Sequence, residues 1–191
     1  MDASVLAAIA RWPDVPAVYG WLSLTARGEW RLRGEPIANA AVRDFIGRNY
    51  AADAQGRWYF QNGPQRVYVT LELAPWVYRL QGDGSLRTHT GAAPRRLLAA
   101  ALVDGEAFVL RTELGAGNVD DRDAARFLST MADGRGRMLD GDAVERALAG
   151  EQPVFVAAAR CGLGEAVVPM RRLAASELPG TFGYVAAPQA P

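Results

Sequence analysis

The cleanest alternation of hydrophobic and polar positions runs through residues 66–73, where Val67, Val69, Leu71 and Leu73 interleave with Arg66, Tyr68, Thr70 and Glu72. A period of two marks a strand with one buried face. Residues 57–61 read as its antiparallel partner, because Asn62-Gly63 between them tolerates the positive φ of a hairpin turn. Pro64 has no N–H with which to close a two-residue turn at Asn62-Gly63, so an opened turn is expected. With Gln61 opposite Pro64, Tyr59 would face Arg66 and Arg57 would face Tyr68, while Trp58 and Phe60 turn inward. Ala74-Pro75 interrupts the run, and residues 76–80 read as a third strand of the same meander.

Upstream, Val5, Leu6, Ile9 and Trp12 recur at helical spacing, with Asp2 placed to cap the helix and Pro13 to end it. Residues 17–24 and 29–34 form a hairpin pattern around Ala26-Arg27-Gly28. Asn39 is placed to cap a helix whose stripe is Val42, Phe45, Ile46 and Tyr50. Downstream of the 76–80 strand, a turn at Gly82-Asp83-Gly84 leads to a fourth strand around 86–90. Residues 94–103 and 107–114 then flank the Asp104-Gly105 turn signal and read as two strands, although Ala and Leu in the first also favour helix. A capped helix follows Asp120, with Ala124, Phe127, Leu128 and Met131 as its stripe. Asp142 and Glu145 form a capping-box pattern for another helix, ended by Gly150. Two last strands flank Gly162–Gly164.

These elements predict an α+β fold of two related modules, antiparallel strands with short helices packed on them. The first spans 1–92, the second 93–185, and 186–191 is a flexible tail. Features recur in the same order: Gly28 to Arg33 matches Gly105 to Arg111, Asp44-Phe45-Ile46 matches Arg126-Phe127-Leu128, and Asp53 with Gly56-Arg57 matches Asp133 with Gly136-Arg137. Val67-Tyr68-Val69 matches Val154-Phe155-Val156, and the common order suggests a degenerate duplication.

The segments GEWRLRGEPI, GRWYFQNGPQRVYVTLELAPWVYRL and CGLGEAVVPM resemble proteobacterial families known only as domains of unknown function. One is close in the GRWYFQNGPQRVYV segment. Another shares the layout of G-x-W, a G-x-P-I step, a helix, an aromatic strand and a final Gly-Leu strand, and the likeness implies tandem α+β repeats with a suggested role in ligand binding or signalling. Neither resemblance brings a catalytic motif onto these residues.

Composition narrows the function classes. Half the chain is hydrophobic, enough for a substantial core in 191 residues. The 21 basic residues are all arginine and are balanced by 21 acids, so no basic footprint for nucleic acid or an anionic membrane exists. Abundant Ala, Gly, Arg and Pro match the codon bias of a GC-rich bacterial genome. Without lysine there is no Walker A loop and no Schiff base, and no G-x-S-x-G elbow occurs. Gly115-x-Gly117 and Gly162-x-Gly164 lack the setting of a dinucleotide loop and read as turns. Cys161 is the single cysteine, which excludes an internal disulfide and suits a reducing, cytoplasmic setting. No apolar run approaches the length of a membrane span.

Candidate chemistry gathers in three places. Arg57, Tyr59, Gln61, Arg66 and Tyr68 share the polar face of the central hairpin, with His89 at its margin, a set suited to an anionic or aromatic ligand. The same guanidinium–phenol pairs would also simply brace the sheet. Asp120, Asp121 and Asp123 would suit a hard divalent cation, or a helix N-terminus stabilised by carboxylates. Cys161 lies in an apolar strand context, where cysteine packs as an inert residue. The residues favour a non-catalytic cytoplasmic protein that binds a small ligand or regulates a partner. The alternatives are a divalent-metal-dependent hydrolase or transferase at the aspartate cluster, and a structural homodimer. No cofactor is specified by the sequence.

Overall fold

The computed structural model describes residues 1–190. The chain divides into two compact units, one built from 1–75 with the returning segment from 179 onward, the other from 76–178. In the first, α1 (Ala3–Arg11), β1 (Val18–Leu24), β2 (Trp30–Leu32) and β3 (Glu35–Pro36) precede α2 (Ala40–Arg48). Then come β4 (Tyr50–Ala52), β5 (Trp58–Asn62) and β6 (Gln65–Leu71), and the sheet order is β3-β2-β1-β6-β5-β4.

Asn39 caps α2 as its chemistry demands, its side chain accepting the N–H of Val42. Asp2 does not cap α1. Its backbone N–H donates to Asn49 Oδ1, and its carboxylate takes Arg48 and Asn49 instead. Only Val5 of α1 is buried, while Leu6 and Trp12 stay half exposed. The core of this sheet is aromatic. Trp30 meets Tyr50 edge-on at 5.0 Å, Tyr50 meets Trp58 at 4.8 Å, and Phe45 on α2 meets Phe60 at 5.5 Å.

The central hairpin forms with a different turn. Asn62 pairs with Gln65, so the loop residues are Gly63 and Pro64 and the turn is tight. Gly63 takes φ 57°, and Pro64 occupies a loop position where its missing N–H costs no ladder bond. Tyr59 therefore faces Tyr68 and Gln61 faces Arg66. The register has moved by two, which leaves every side chain on its expected face.

Residues 76–80 do not continue this meander. The free edge of β6 is already taken by β1, which runs parallel to it, and after Pro75 the chain enters the second unit. There β7 (Trp76–Leu80) pairs with β8 (Leu86–Thr88). The unit continues through β9 (Leu97–Val103), β10 (Ala107–Thr112), β11 (Gly115–Val119), α3 (Ala124–Phe127) and β12 (Met131–Ala132). It ends with α4 (Gly141–Ala149), β13 (Phe155–Ala157) and β14 (Val167–Leu173), before α5 (Leu178–Phe182). Its order is β12-β13-β14-β9-β10-β11-β7-β8.

Leu97–Val103 is a strand, as the Asp104-Gly105 signal predicts; both turn residues take positive φ. Gly115-x-Gly117 is not a turn but part of β11, because the side chains of Trp76 and Tyr78 occupy the space above Gly117. Asp140, rather than Asp142, caps α4 by accepting the N–H of Ala143, and Gly150 ends it in the left-handed conformation. Cys161 closes a short 3₁₀ turn rather than lying in a strand.

Six strands of the second sheet, β9 to β14, repeat the topology of the first, and β7 and β8 extend that sheet beyond β11. In each, a hairpin and a third strand lie to one side (β1-β2-β3, β9-β10-β11), and a parallel pair joins the first strand to the last (β1 with β6, β9 with β14). The other two strands follow antiparallel (β6-β5-β4, β14-β13-β12). By this order β13 occupies the place of β5, so Val154-Phe155-Val156 corresponds to the strand before Val67-Tyr68-Val69 and not to that segment itself. In the tail, Ala186 accepts a hydrogen bond from Leu71 and Pro188 is buried; residue 191 lies outside the described residues.

Candidate functional site

The polar face of β5 and β6 carries a stack of rings and guanidinium groups. Tyr19 on β1 lies face to face with Tyr68, centroids 4.7 Å apart and planes 11° apart, and Tyr59 meets Tyr68 edge-on at 5.9 Å. The Arg57 guanidinium carbon stands 4.8 Å from the Tyr68 ring centroid, and that of Arg66 stands 4.7 Å from the Tyr59 ring. Parallel pairing of β1 with β6 supplies Tyr19, a member the sequence reading missed; its place beside Tyr68 depends on a non-local pairing that no local pattern announces.

Asp53 organises the inner end. Its Oδ2 accepts Nε of Arg57 at 2.7 Å and the Tyr68 hydroxyl at 3.0 Å, and its Oδ1 accepts the backbone N–H groups of Gln55 and Arg57. Burial alone would raise the Asp53 pKa, but the hydrogen bonds from Arg57, Tyr68 and Gln55 outweigh it and hold the carboxyl below its ordinary value. Burial, followed by the bond to Asp53, pushes the Tyr68 phenol up. Tyr68 is therefore a neutral donor at neutral pH.

Exposure sorts the candidate residues. Tyr59, Gln61 and Tyr68 are buried, Arg57 keeps 30% of its side chain exposed, and Arg66 is exposed. Gln61 donates its amide to the carbonyl of Gly63 across the turn, which makes it a turn support. The surface offered to a ligand is thus Arg66, Arg57 and the half-buried Tyr19, resting on Tyr59 and Tyr68.

His89 is set apart from this group in the chain's organisation: it follows β8 in the second unit. Its Nδ1 accepts the N–H of Val77 at 3.2 Å and its ring lies 5.7 Å from Trp76. Burial lowers its pKa to about 3, so it is neutral and acts as an acceptor for β7. The residue as a whole still reaches solvent in part, while its Nε2 is enclosed.

The aspartate cluster is bound up with arginine. Asp120 is fully buried, caps the following 3₁₀ turn through the N–H of Arg122, and forms a two-point pair with the Arg122 guanidinium at 2.8 and 2.6 Å. Burial opposes ionisation of Asp120, and Arg122 with Arg79 more than offsets it, so its pKa is lowered. Asp123 takes Arg79 at 2.8 Å and the N–H of Leu80 at 3.1 Å. Asp121 is exposed. Among the described residues, no group of three His, Cys, Asp or Glu side chains is placed to hold a metal ion. Cys161 is fully buried, and burial pushes its thiol up to about 12, far from a nucleophilic thiolate.

The α+β fold resembles that of a solved structure. A crystal structure of a DUF1285 family protein from Silicibacter pomeroyi DSS-3 matches with TM-score 0.50 and 14% identity, over 88% of this chain and 94% of that one. A DUF1285 family protein from Shewanella baltica OS155 gives TM-score 0.43 and 18% identity, over 56% of this chain and 90% of that one. The likeness to the first is one of fold. The chain itself belongs to the family DUF2944, described as a protein of unknown function (DUF2946), whose model matches residues 1–189. That bears out the resemblance to domains of unknown function. No curated protein matches the chain. Among the described residues no helix is long and apolar enough to cross a membrane.

Proposed function

We propose that this protein is a non-catalytic ligand-binding or regulatory protein that recognises an anionic, flat group through Arg66 and Arg57. The supporting observation is the exposed Arg66 guanidinium laid over the buried Tyr59 ring, with Arg57, held in place by Asp53, on the neighbouring Tyr68 ring. Guanidinium groups positioned on rings lose little further freedom on binding, and their planar donors match carboxylate and phosphate oxygens. Tyr19, stacked on Tyr68, adds a half-buried ring to the group. A cytoplasmic, bacterial setting fits the single buried thiol and the arginine-rich, lysine-free composition. The shared strand order of the two sheets supports reading the chain as a degenerate tandem repeat.

Thermal unfolding in the presence of inorganic phosphate, benzoate and nucleoside diphosphates tests the reading. A binder raises the midpoint of the wild type by mass action and leaves Arg66→Ala unmoved. Equal shifts in both proteins for every binder would remove this site from consideration.

A further inference from the structure

A second site lies in the other unit, where the sheet face beneath the end of α4 holds a cleft of about 310 Å³. Its floor is apolar: Leu102 on β9, Met170 on β14 and Val154 just before β13 line it and are buried. Register explains the convergence. Met170 pairs with Ala100 and Arg172 with Leu102, so residues two apart on β9 and on β14 point to the same face.

Arg172 stands at the rim, and its position is set by the helix. Its Nη2 donates to the carbonyl of Ala147 at 2.8 Å and to that of Leu148, in the last turn of the helix, where carbonyls lack their full set of intrahelical partners; that of Ala147 also accepts the N–H of Gly150. Gly150 contributes by having no side chain, since an added Cβ would come within 3.2 Å of Arg172 Nε. The anchor uses one of the three guanidinium nitrogens. Nη1 remains as a charged donor on a group already fixed in place.

We propose that this cleft binds a small aliphatic carboxylate, its tail on Leu102, Val154 and Met170 and its carboxylate on Nη1 of Arg172. A cation is disfavoured, because Arg172 already occupies the helix-terminal carbonyls that would attract one. A charged N–H donor already fixed in place fits a carboxylate, and the apolar floor gives binding to a hydrocarbon tail and not to a bare anion. A volume near the lower end of the roughly 300–1,000 Å³ range of ligand pockets limits the tail to a short chain. Glu151, exposed on the same rim, opposes the carboxylate and weakens the site.

Methyl-¹³C labelling of methionine supplies the readout, because the chain has four methionines and Met170 lines the cleft while Met131 is buried elsewhere in the sheet. Titration with sodium octanoate is expected to shift the Met170 methyl saturably and leave Met131 in place. Acetate should not shift Met170, and octan-1-ol should do so only weakly. Arg172→Gln should weaken octanoate roughly tenfold or more, the scale of losing a charge-assisted pair, without changing octan-1-ol. Glu151→Gln should tighten octanoate a few-fold. An unmoved Met170 methyl, or Glu151→Gln binding no tighter than wild type, overturns the proposal; the second criterion holds even if Arg172→Gln disturbs α4 and the Met131 signal. Arg66→Ala should bind octanoate as the wild type does, so this site and the arginine–tyrosine surface stand or fall separately.

Discussion

Asp53 and Asp133 hold the same turn in the two sheets. Oδ1 of Asp53 accepts the N–H groups of Gln55 and Arg57, and its Oδ2 takes Nε of Arg57 at 2.7 Å. Oδ1 of Asp133 accepts those of Arg135 and Arg137, with Nε of Arg137 at 2.9 Å. The glycine between has φ 76° in one and 77° in the other. Neither turn is an ordinary loop, since an aspartate that satisfies two backbone donors in sequence fixes the chain's entry into the following segment.

The environments of the two differ, and so should the cost of removing them. The Asp53 side chain is 7% exposed and also holds Tyr68, whereas that of Asp133 is 30% exposed. Asp53→Ala should lower unfolding stability by about 1–2 kcal/mol, a value already reduced for the solvent that reaches Arg57. Asp133→Ala should cost clearly less. Urea unfolding of both variants checks the order, and Tyr68→Phe should recover part of the Asp53→Ala loss.

Acidification provides an independent check. The Asp53 carboxyl is held below its ordinary value of 3.8 in the folded chain, so its contribution is complete above that value and is lost as pH falls through the lower, folded-state pKa. The gap in stability between wild type and Asp53→Asn should therefore be constant near neutrality and close on titration from about pH 5 to about pH 2. Thermal melts across that range measure it. A gap that widens with acid would contradict the assignment.

Gly117 is packed too tightly to accept a methyl group. An added Cβ would lie 2.5 Å from Cε2 of Tyr78, 2.7 Å from Cβ of Trp76 and 3.0 Å from its carbonyl oxygen. Tyr78 is fully buried, its hydroxyl sharing a hydrogen bond with Thr112, so it has no room to withdraw. Gly117→Ala should cost about 1–3 kcal/mol or reduce soluble yield. Gly141→Ala, with open space around it, is the matched control and should leave stability nearly unchanged.

At the aspartate cluster the arginines already do what a cation would do. Asp123→Ala strips the N–H of Leu80 and the Arg79 guanidinium of their acceptor and should destabilise by about 1–3 kcal/mol. Millimolar Mg²⁺, Mn²⁺ or Ca²⁺ should leave the wild-type melting temperature where it is. Calorimetric heat that saturates with any of these ions would restore the metal reading.

Much of the local structure is legible in the residues themselves. The alternation at 66–73, the Asn39 cap, the Gly150 stop and the Asp104-Gly105 turn each rest on chemistry within a few positions, and each forms where expected. The division of the polar hairpin face into arginines outside and tyrosines beneath is half legible. Alternation assigns the face, but whether a ring on it is covered depends on Tyr19, which arrives from another strand.

Two outcomes lay beyond any local pattern. Which strand takes the free edge of β6 was decided by the parallel pairing with β1, and that pairing sends Trp76–Leu80 into the other sheet. Likewise, the short ion pair of Asp123 is with Arg79, more than forty positions away, whereas Asp120 is paired locally by Arg122. Backbone periodicity and turn chemistry act between near neighbours and can be read from order alone. Edge occupancy and charge pairing are settled only when distant segments compete for the same hydrogen-bond donors and the same space.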